Sequence, residues 1–75
     1  MAPTWSQLAR SARKATGLTQ KEFASRIGAT RSTVGAWEAG LREPSKLTVS
    51  LLCLIDAYGN DALEKLVPCH EVVNC

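Results

Sequence analysis

The chain has 75 residues, of which 45% are hydrophobic, so one domain with a small core is expected and an enzyme with a deep, walled cleft is excluded. Residues 1–46 hold eight Lys/Arg and three acids (net +5), whereas residues 47–75 hold one lysine and four acids (net −3). This uneven charge favours a protein that binds a polyanion with its first half, and ordinary solvated surface is the alternative.

The first predicted helix opens at a capping box formed by Thr4 and Gln7, directly after Pro3. Gly17 ends it, because glycine favours the conformation that stops a helix. Its apolar residues recur at helical spacing and are Trp5, Leu8, Ala9, Ala12 and Ala15.

A second capping box, Thr19 and Glu22, begins the second predicted helix. Leu18 and Phe23 stand at the two positions of a hydrophobic staple, which fixes the direction in which the chain enters the helix. The inward face is predicted to consist of Phe23, Ala24 and Ile27.

The turn at Gly28 and Ala29 is the most informative feature, because Thr30 caps a third helix directly after it. Such a turn is too short for two antiparallel helices to lie flat, so a steep crossing and a projecting third helix are expected. This helix runs to Gly40. Gly35 in its middle costs about 1 kcal/mol relative to alanine, which indicates a close approach of DNA or another helix, or simply an imperfect helix.

A loop over residues 41–44 precedes a fourth helix, which Ser45 caps and Gly59 ends. The helix is apolar nearly all round, so Cys53 is expected to be a small core residue. Its predicted inward face contains Leu47, Leu51, Leu54, Ile55 and Tyr58, widened by Leu52 and Cys53.

A fifth, short helix is predicted from a cap at Asn60 to a stop at Pro68. The elements together predict an all-α protein, a compact five-helix bundle over residues 1–68 with a helix-turn-helix at about residues 19–40 and a tail over residues 69–75. The inward residues of the fifth helix are predicted to be Leu63, Leu66 and Val67.

Cysteine usage and hydropathy indicate a cytoplasmic chain that requires no cofactor. Cys69, His70 and Cys75 lack a second close ligand pair, so reduced thiols are expected in place of a metal site. No stretch is long and apolar enough to span a membrane, and the start of the chain lacks the features of a signal peptide. No set of catalytic residues is recognisable.

The projecting tip of the third helix carries the candidate base-reading residues Arg31, Ser32 and Thr33. Arginine donates two hydrogen bonds to guanine in the major groove, and Ala36, one turn later, can contact a thymine methyl group. The alternative is that these are exposed polar residues of the kind found at any helix start.

The chain resembles the Cro/repressor-type (xenobiotic-response-element-like, lambda-repressor-like) helix-turn-helix family over residues 8–58. The resemblance implies phosphate contacts at five residues. It also implies an ion pair between Arg13 and Glu38, for which two independent exposed side chains are the alternative. The matching residues are Leu18, Thr19, Gln20, Gly28, Val34, Trp37, Glu38 and Gly40. The implied phosphate contacts are Gln20, which also braces the third helix, and Thr30, Arg42, Ser45 and Lys46.

These features predict a sequence-specific regulator that binds double-stranded DNA at an inverted repeat as a homodimer, because one short helix reads too few base pairs. Compact family members of phages, mobile elements and anti-CRISPR operons suggest a repressor of its own operon. Leu63, Leu66 and Val67 are the predicted dimer contact, with Val72 and Val73 as an added strand pair. One alternative is an antitoxin that also binds a basic toxin. The other, a protein-interaction module, is disfavoured by the polar tip.

Overall fold

The structure is a computed structural model that describes residues 4–65. The predicted dimer residues Leu66 and Val67, the stop at Pro68 and the whole tail over residues 69–75 lie outside the described residues. The same holds for Pro3, at the other end of the chain.

Five α-helices form the described part of the chain, which confirms the predicted all-α, five-helix architecture. None of these helices is long and apolar enough to cross a membrane. Helix α1 packs against α3 and α4, α2 packs against α3, and α5 packs against α4. The helices are α1 (Thr4–Thr16), α2 (Gln20–Ile27), α3 (Arg31–Ala39), α4 (Lys46–Tyr58) and α5 (Asn60–Lys65).

Local hydrogen bonds start α2 at the predicted residue. The Thr19 hydroxyl accepts a hydrogen bond from the Glu22 backbone N–H at 3.1 Å, and the Glu22 carboxylate accepts one from the Thr19 N–H at 3.0 Å. The two bonds complete the predicted capping box. The hydrogen bonds from Thr19 also lower the pKa of Glu22, because they favour its charged form.

The core lies where α1 meets α3 and α4, and α1 contributes small side chains to it. Ser6 and Thr16 are buried in this contact, although both are polar. The Thr16 hydroxyl donates to the Arg13 carbonyl at 2.6 Å, which satisfies it inside the protein. Ala15, one of the apolar residues at helical spacing, is exposed. The buried apolar residues are Ala9, Ala12, Phe23, Ala24, Val34, Trp37, Leu52, Ile55, Ala62 and Leu63.

The inward face of α4 differs from the prediction. Leu52 and Ile55 are fully buried, whereas Leu47, Leu54 and Tyr58 are exposed. Cys53 is also exposed, so its assignment as a core residue was wrong. The cause is packing: α4 contacts α1 on one side only, and a helix that is apolar all round does not itself show which side that is.

Leu63 is only 1% exposed and belongs to the core of its own chain, which confirms its predicted inward position. Because it is buried there, Leu63 is not available for the dimer contact that was also predicted for it. Helix α5 brings it there by folding back onto α4 after the turn at Gly59. Asn60 is the first residue of α5 and not its cap. The Gly59 carbonyl instead accepts hydrogen bonds from the N–H groups of Ala62 and Leu63.

Gly59 permits this turn in two ways. Its backbone has φ 61° and ψ −133°, a combination that side chains with a Cβ rarely adopt. A Cβ at this position would also lie 3.0 Å from the Ala15 carbonyl oxygen of α1. Gly17 likewise has a positive φ, of 75°, but a Cβ there would meet nothing within 4 Å.

We expect Gly59→Ala to lower the free energy of unfolding by about 2–3 kcal/mol, because backbone strain and a clash with Ala15 add together. Gly17→Ala, which has the strain without the clash, should cost about 1 kcal/mol. Urea unfolding followed by circular dichroism measures both. Equal losses for the two variants would show that the contact with Ala15 does not constrain the turn.

Candidate nucleic-acid interface

The turn between α2 and α3 has the predicted left-handed glycine and capping threonine. Gly28 lies in the left-handed region at φ 77°, and the Ala29 N–H donates to the Ala24 carbonyl at 2.8 Å, which closes the end of α2. Thr30 is already extended, at φ −101° and ψ 157°, and α3 begins at the next residue. The two helices pack against each other, and the first turn of α3 stands at the surface.

At the tip of α3, the candidate base-reading residues differ in their exposure. Arg31 and Ser32 are exposed. Thr33 is half-buried, and its hydroxyl lies 2.9 Å from that of Thr30. The Thr30 hydroxyl also accepts from the Thr33 N–H at 3.1 Å, so both threonines build the cap. Ala36 is half-buried one turn further along the helix.

Glu38 and Arg13 form the predicted ion pair, with two hydrogen bonds. Arg13 Nε donates to Glu38 Oε2 at 2.7 Å, and Arg13 Nη2 donates to Glu38 Oε1 at 3.0 Å. The Glu38 side chain is 6% exposed and that of Arg13 23%. The hydrogen bond to Glu38 raises the pKa of Arg13, so the guanidinium stays charged. The alternative of two independent side chains is therefore wrong.

Gln20 joins the same carboxylate and lies against Gly35 in the middle of α3. Its side-chain amide donates to Glu38 Oε1 at 3.3 Å. The Gln20 side chain crosses Gly35, where an added Cβ would lie 3.5 Å from Gln20 Oε1. This is ordinary van der Waals contact, so α2 approaches α3 here through a side chain, but the contact does not require a glycine. The predicted bracing role of Gln20 is visible in these contacts.

A third contact extends the network to the connection between α1 and α2. Arg13 Nη1 donates to the Leu18 carbonyl at 3.1 Å. The sequence prediction did not include this bond, because no side-chain pattern marks a carbonyl acceptor. Arg13 and Glu38 therefore link α1, α3 and the chain segment that enters α2.

The loop after α3 presents the remaining candidate phosphate contacts. Arg42, Ser45 and Lys46 are all exposed. The Arg42 N–H donates to the Ala36 carbonyl at 3.3 Å, and Pro44 is buried beneath the loop, so the loop is attached to both α3 and the core. Ser45 accepts from the Thr48 N–H at 3.2 Å, so its hydroxyl serves first as the cap of α4.

Glu43 is an exposed acid between the two basic residues of this loop, and the predicted interface did not include it. Its carboxylate would repel a phosphate, so the loop offers two cations at its ends and one anion between them. The sequence could have shown this anion, because Glu43 stands between Arg42 and Lys46 in the printed sequence.

Comparison with known proteins agrees with this geometry. The profile of a family described as Helix-turn-helix matches residues 10–55. An uncharacterized HTH-type transcriptional regulator of Methanothermobacter thermautotrophicus is 53% identical over 59 residues, which cover 79% of this chain and 83% of that protein. No solved structure matches the chain significantly.

The chain belongs to the helix-turn-helix family, and the resemblance to its Cro/repressor type is confirmed. The matched residues include all of α2 and α3, and both partners of the Arg13–Glu38 pair.

We expect the contributions of Arg13 and Glu38 to the free energy of unfolding to be coupled. Arg13→Met leaves a buried carboxylate without its partner and should cost about 3 kcal/mol. Glu38→Leu should cost less, because Arg13 is the more exposed member of the pair. The double variant should recover much of the loss, and urea unfolding of all three measures the coupling. Strictly additive losses would contradict it.

Proposed function

We propose that the chain is a sequence-specific DNA-binding transcriptional repressor that binds an inverted repeat as a homodimer. We further propose that it regulates its own operon, of the phage, mobile-element or anti-CRISPR-associated type. The observation that carries this proposal is the first turn of α3, where Arg31 and Ser32 project into solvent. The similar HTH-type transcriptional regulator of M. thermautotrophicus supports the regulatory role.

Base readout would fall mainly to Arg31. Its guanidinium carries donors in a fixed fork that matches the O6 and N7 acceptors of guanine, and the Thr30–Thr33 cap holds the first turn beneath it. Ser32 would contact either a base or a phosphate. Thr33 would contribute less than predicted from sequence, because its hydroxyl is engaged in the cap. Ala36 would meet a thymine methyl group.

Phosphate contacts would position this helix. Gln20 lies at the first turn of α2, whose backbone N–H groups have no partner inside the helix and favour an anion. Thr30 would contact a phosphate from the start of α3. Arg42, Ser45 and Lys46 would contact the backbone from the loop that follows α3, where the two cations neutralise phosphate charge.

A homodimer follows from the size of the reading surface. One exposed turn of α3 reads only a few base pairs, which is too few for selectivity over a genome. Two copies related by a two-fold axis would place their recognition helices about 34 Å apart on an inverted repeat.

A second candidate is the antitoxin of a toxin–antitoxin pair, which would bind the same operator DNA and also a toxin protein. The supporting observation is the exposed acidic group on α4 and α5, formed by Asp56, Asp61 and Glu64. These acids would suit a basic partner. Co-purification with the product of a neighbouring gene, abolished by charge reversal at Asp61 and Glu64, would favour this candidate over simple repression.

We expect Arg31→Ala to relax base preference at one position of each half-site while the chain stays folded, because the exposed guanidinium forms no hydrogen bond or ion pair with residues 4–65. A binding-site selection from randomised DNA measures the preference. Arg10→Ala, which removes an exposed arginine from α1, is the matched control and should leave the selected sequence unchanged. An unaltered sequence preference for Arg31→Ala would reject its role in base readout.

We expect the double variant Arg42→Gln, Lys46→Gln to weaken binding to all DNA sequences alike. The slope of log K against log [salt] should flatten by about 1.8, the effect of two fewer phosphate contacts. The control is Arg10→Gln, Lys14→Gln, which removes one arginine and one lysine from α1 and should keep the slope. If only the specific operator lost affinity, Arg42 or Lys46 would be reading bases.

A further inference from the structure

Helix α4 exposes a row of large apolar side chains along one side, next to the face that it buries in the core. Leu47 is 82% exposed, Leu54 47% and Tyr58 63%, and half-buried Leu51 completes the row. We call these four residues the outer stripe. Isolated exposed leucines are ordinary, but a contiguous row along three helical turns is typical of a helix–helix contact.

The spacing of the outer stripe is the same in both directions along the helix. Successive members lie four, three and four residues apart. When two copies of α4 pack antiparallel across a two-fold axis, Leu47 therefore faces Tyr58 of the second copy, and Leu51 faces Leu54 of the second copy. Every member gains an apolar partner, which is the self-complementarity that a two-fold contact requires.

Charge also favours the antiparallel pairing. Lys46 begins α4, and Asp61 lies beside Leu54 and Tyr58 at the other end of the stripe. Antiparallel packing brings the end of α4 that carries Lys46, which is also a proposed phosphate contact, towards the end of the other copy that carries Asp61, whereas parallel packing places like charges together. The helix dipoles of the two copies also oppose each other in this arrangement.

The outer stripe borders the helix-turn-helix. Ile27, the last residue of α2, lines one groove together with Leu47, Leu51 and Leu54. The Gly28 turn follows Ile27 directly, and α3 begins three residues later. A contact on this groove therefore lies close to the recognition helix and fixes its orientation relative to that of the second copy.

We propose that the outer stripe of α4 is the dimer contact, occupied by the outer stripe of a second copy packed antiparallel across a two-fold axis. This dimer contact adds detail to the proposed function, and the proposal rests on that function, in which the chain binds an inverted repeat as a homodimer. It replaces the contact predicted at Leu63, which is buried in its own chain. Four large side chains per copy form a contact at the small end of specific interfaces, below roughly 1,200 Å² in total. The dimer is therefore concentration-dependent and is strengthened by the operator.

Sedimentation of the full chain in reducing buffer tests the contact with two adjacent substitutions. Leu54→Glu places a charge within the stripe and should raise the dimer dissociation constant by about tenfold or more. Cys53→Glu adds the same charge to an exposed residue of α4 outside the stripe, and should leave the constant within about twofold. Circular dichroism checks that both variants are folded.

A mixing experiment tests the antiparallel register. Leu47→Lys and Tyr58→Glu should each be monomeric alone, because each charge faces an apolar residue in both halves of the symmetric contact. Mixed in equal amounts, the two variants should sediment as a heterodimer, with one Lys–Glu pair and one intact Leu47–Tyr58 pair. Parallel packing would give no such rescue, because residue 47 would then face residue 47.

Three results would overturn the proposal: a wild-type chain that is monomeric both free and on inverted-repeat DNA, an equal response to Leu54→Glu and Cys53→Glu, or no rescue on mixing. In that case the outer stripe would instead bind residues 66–75 of the same chain or a different protein. None of these results would affect half-site binding that depends on Arg31, so failure of the dimer contact is distinguishable from failure of the proposed DNA-binding function.

Discussion

The carboxylate of Glu38 is the interaction on which the arrangement of the first three helices depends. It belongs to α3, accepts two hydrogen bonds from Arg13 of α1 and a third from Gln20 of α2. Because the carboxylate is almost fully buried, its charge has to be compensated inside the protein, and the bonds to Arg13 and Gln20 do so from two other helices. The network thus determines geometry more than it adds stability.

The position of the recognition helix follows from this network together with the turn at Gly28. The turn brings α3 directly after α2, and the Thr30–Thr33 cap satisfies donors at its start without involving Arg31 or Ser32. The cap and the network therefore hold the helix while its first exposed side chains stay available for recognition. Gln20 spans both regions, since it starts α2 and crosses Gly35 in α3.

Helix α4 has more apolar surface than the rest of this short chain covers, so part of it is buried in the core and part is exposed. Leu52 and Ile55 fill the core against α1 and α5, and the outer stripe lies along the adjoining side of the helix, where Leu51 also packs against the core. A small domain gains little stability from its own core, so apolar surface that assembly can bury is consistent with a chain of this size. The groove beside Ile27 connects that surface to the helix-turn-helix.

The sequence by itself determined the features that depend on neighbouring residues. The caps at Thr19, Thr30 and Ser45 and the turn at Gly28 were predicted correctly, because each is formed by hydrogen bonds or backbone angles within a few residues. The Arg13–Glu38 pair joins distant residues, and its prediction came from the family resemblance.

Only the tertiary structure decided which side of an apolar helix is buried. It exposes Cys53, Leu47, Leu54 and Tyr58, contrary to prediction, whereas it buries Leu63 as the helical spacing predicted. It likewise engages the Thr33 hydroxyl in the cap and places Gln20 over Gly35. These outcomes depend on which helices pack against each other, and helical periodicity does not contain that information once apolar residues surround the whole helix.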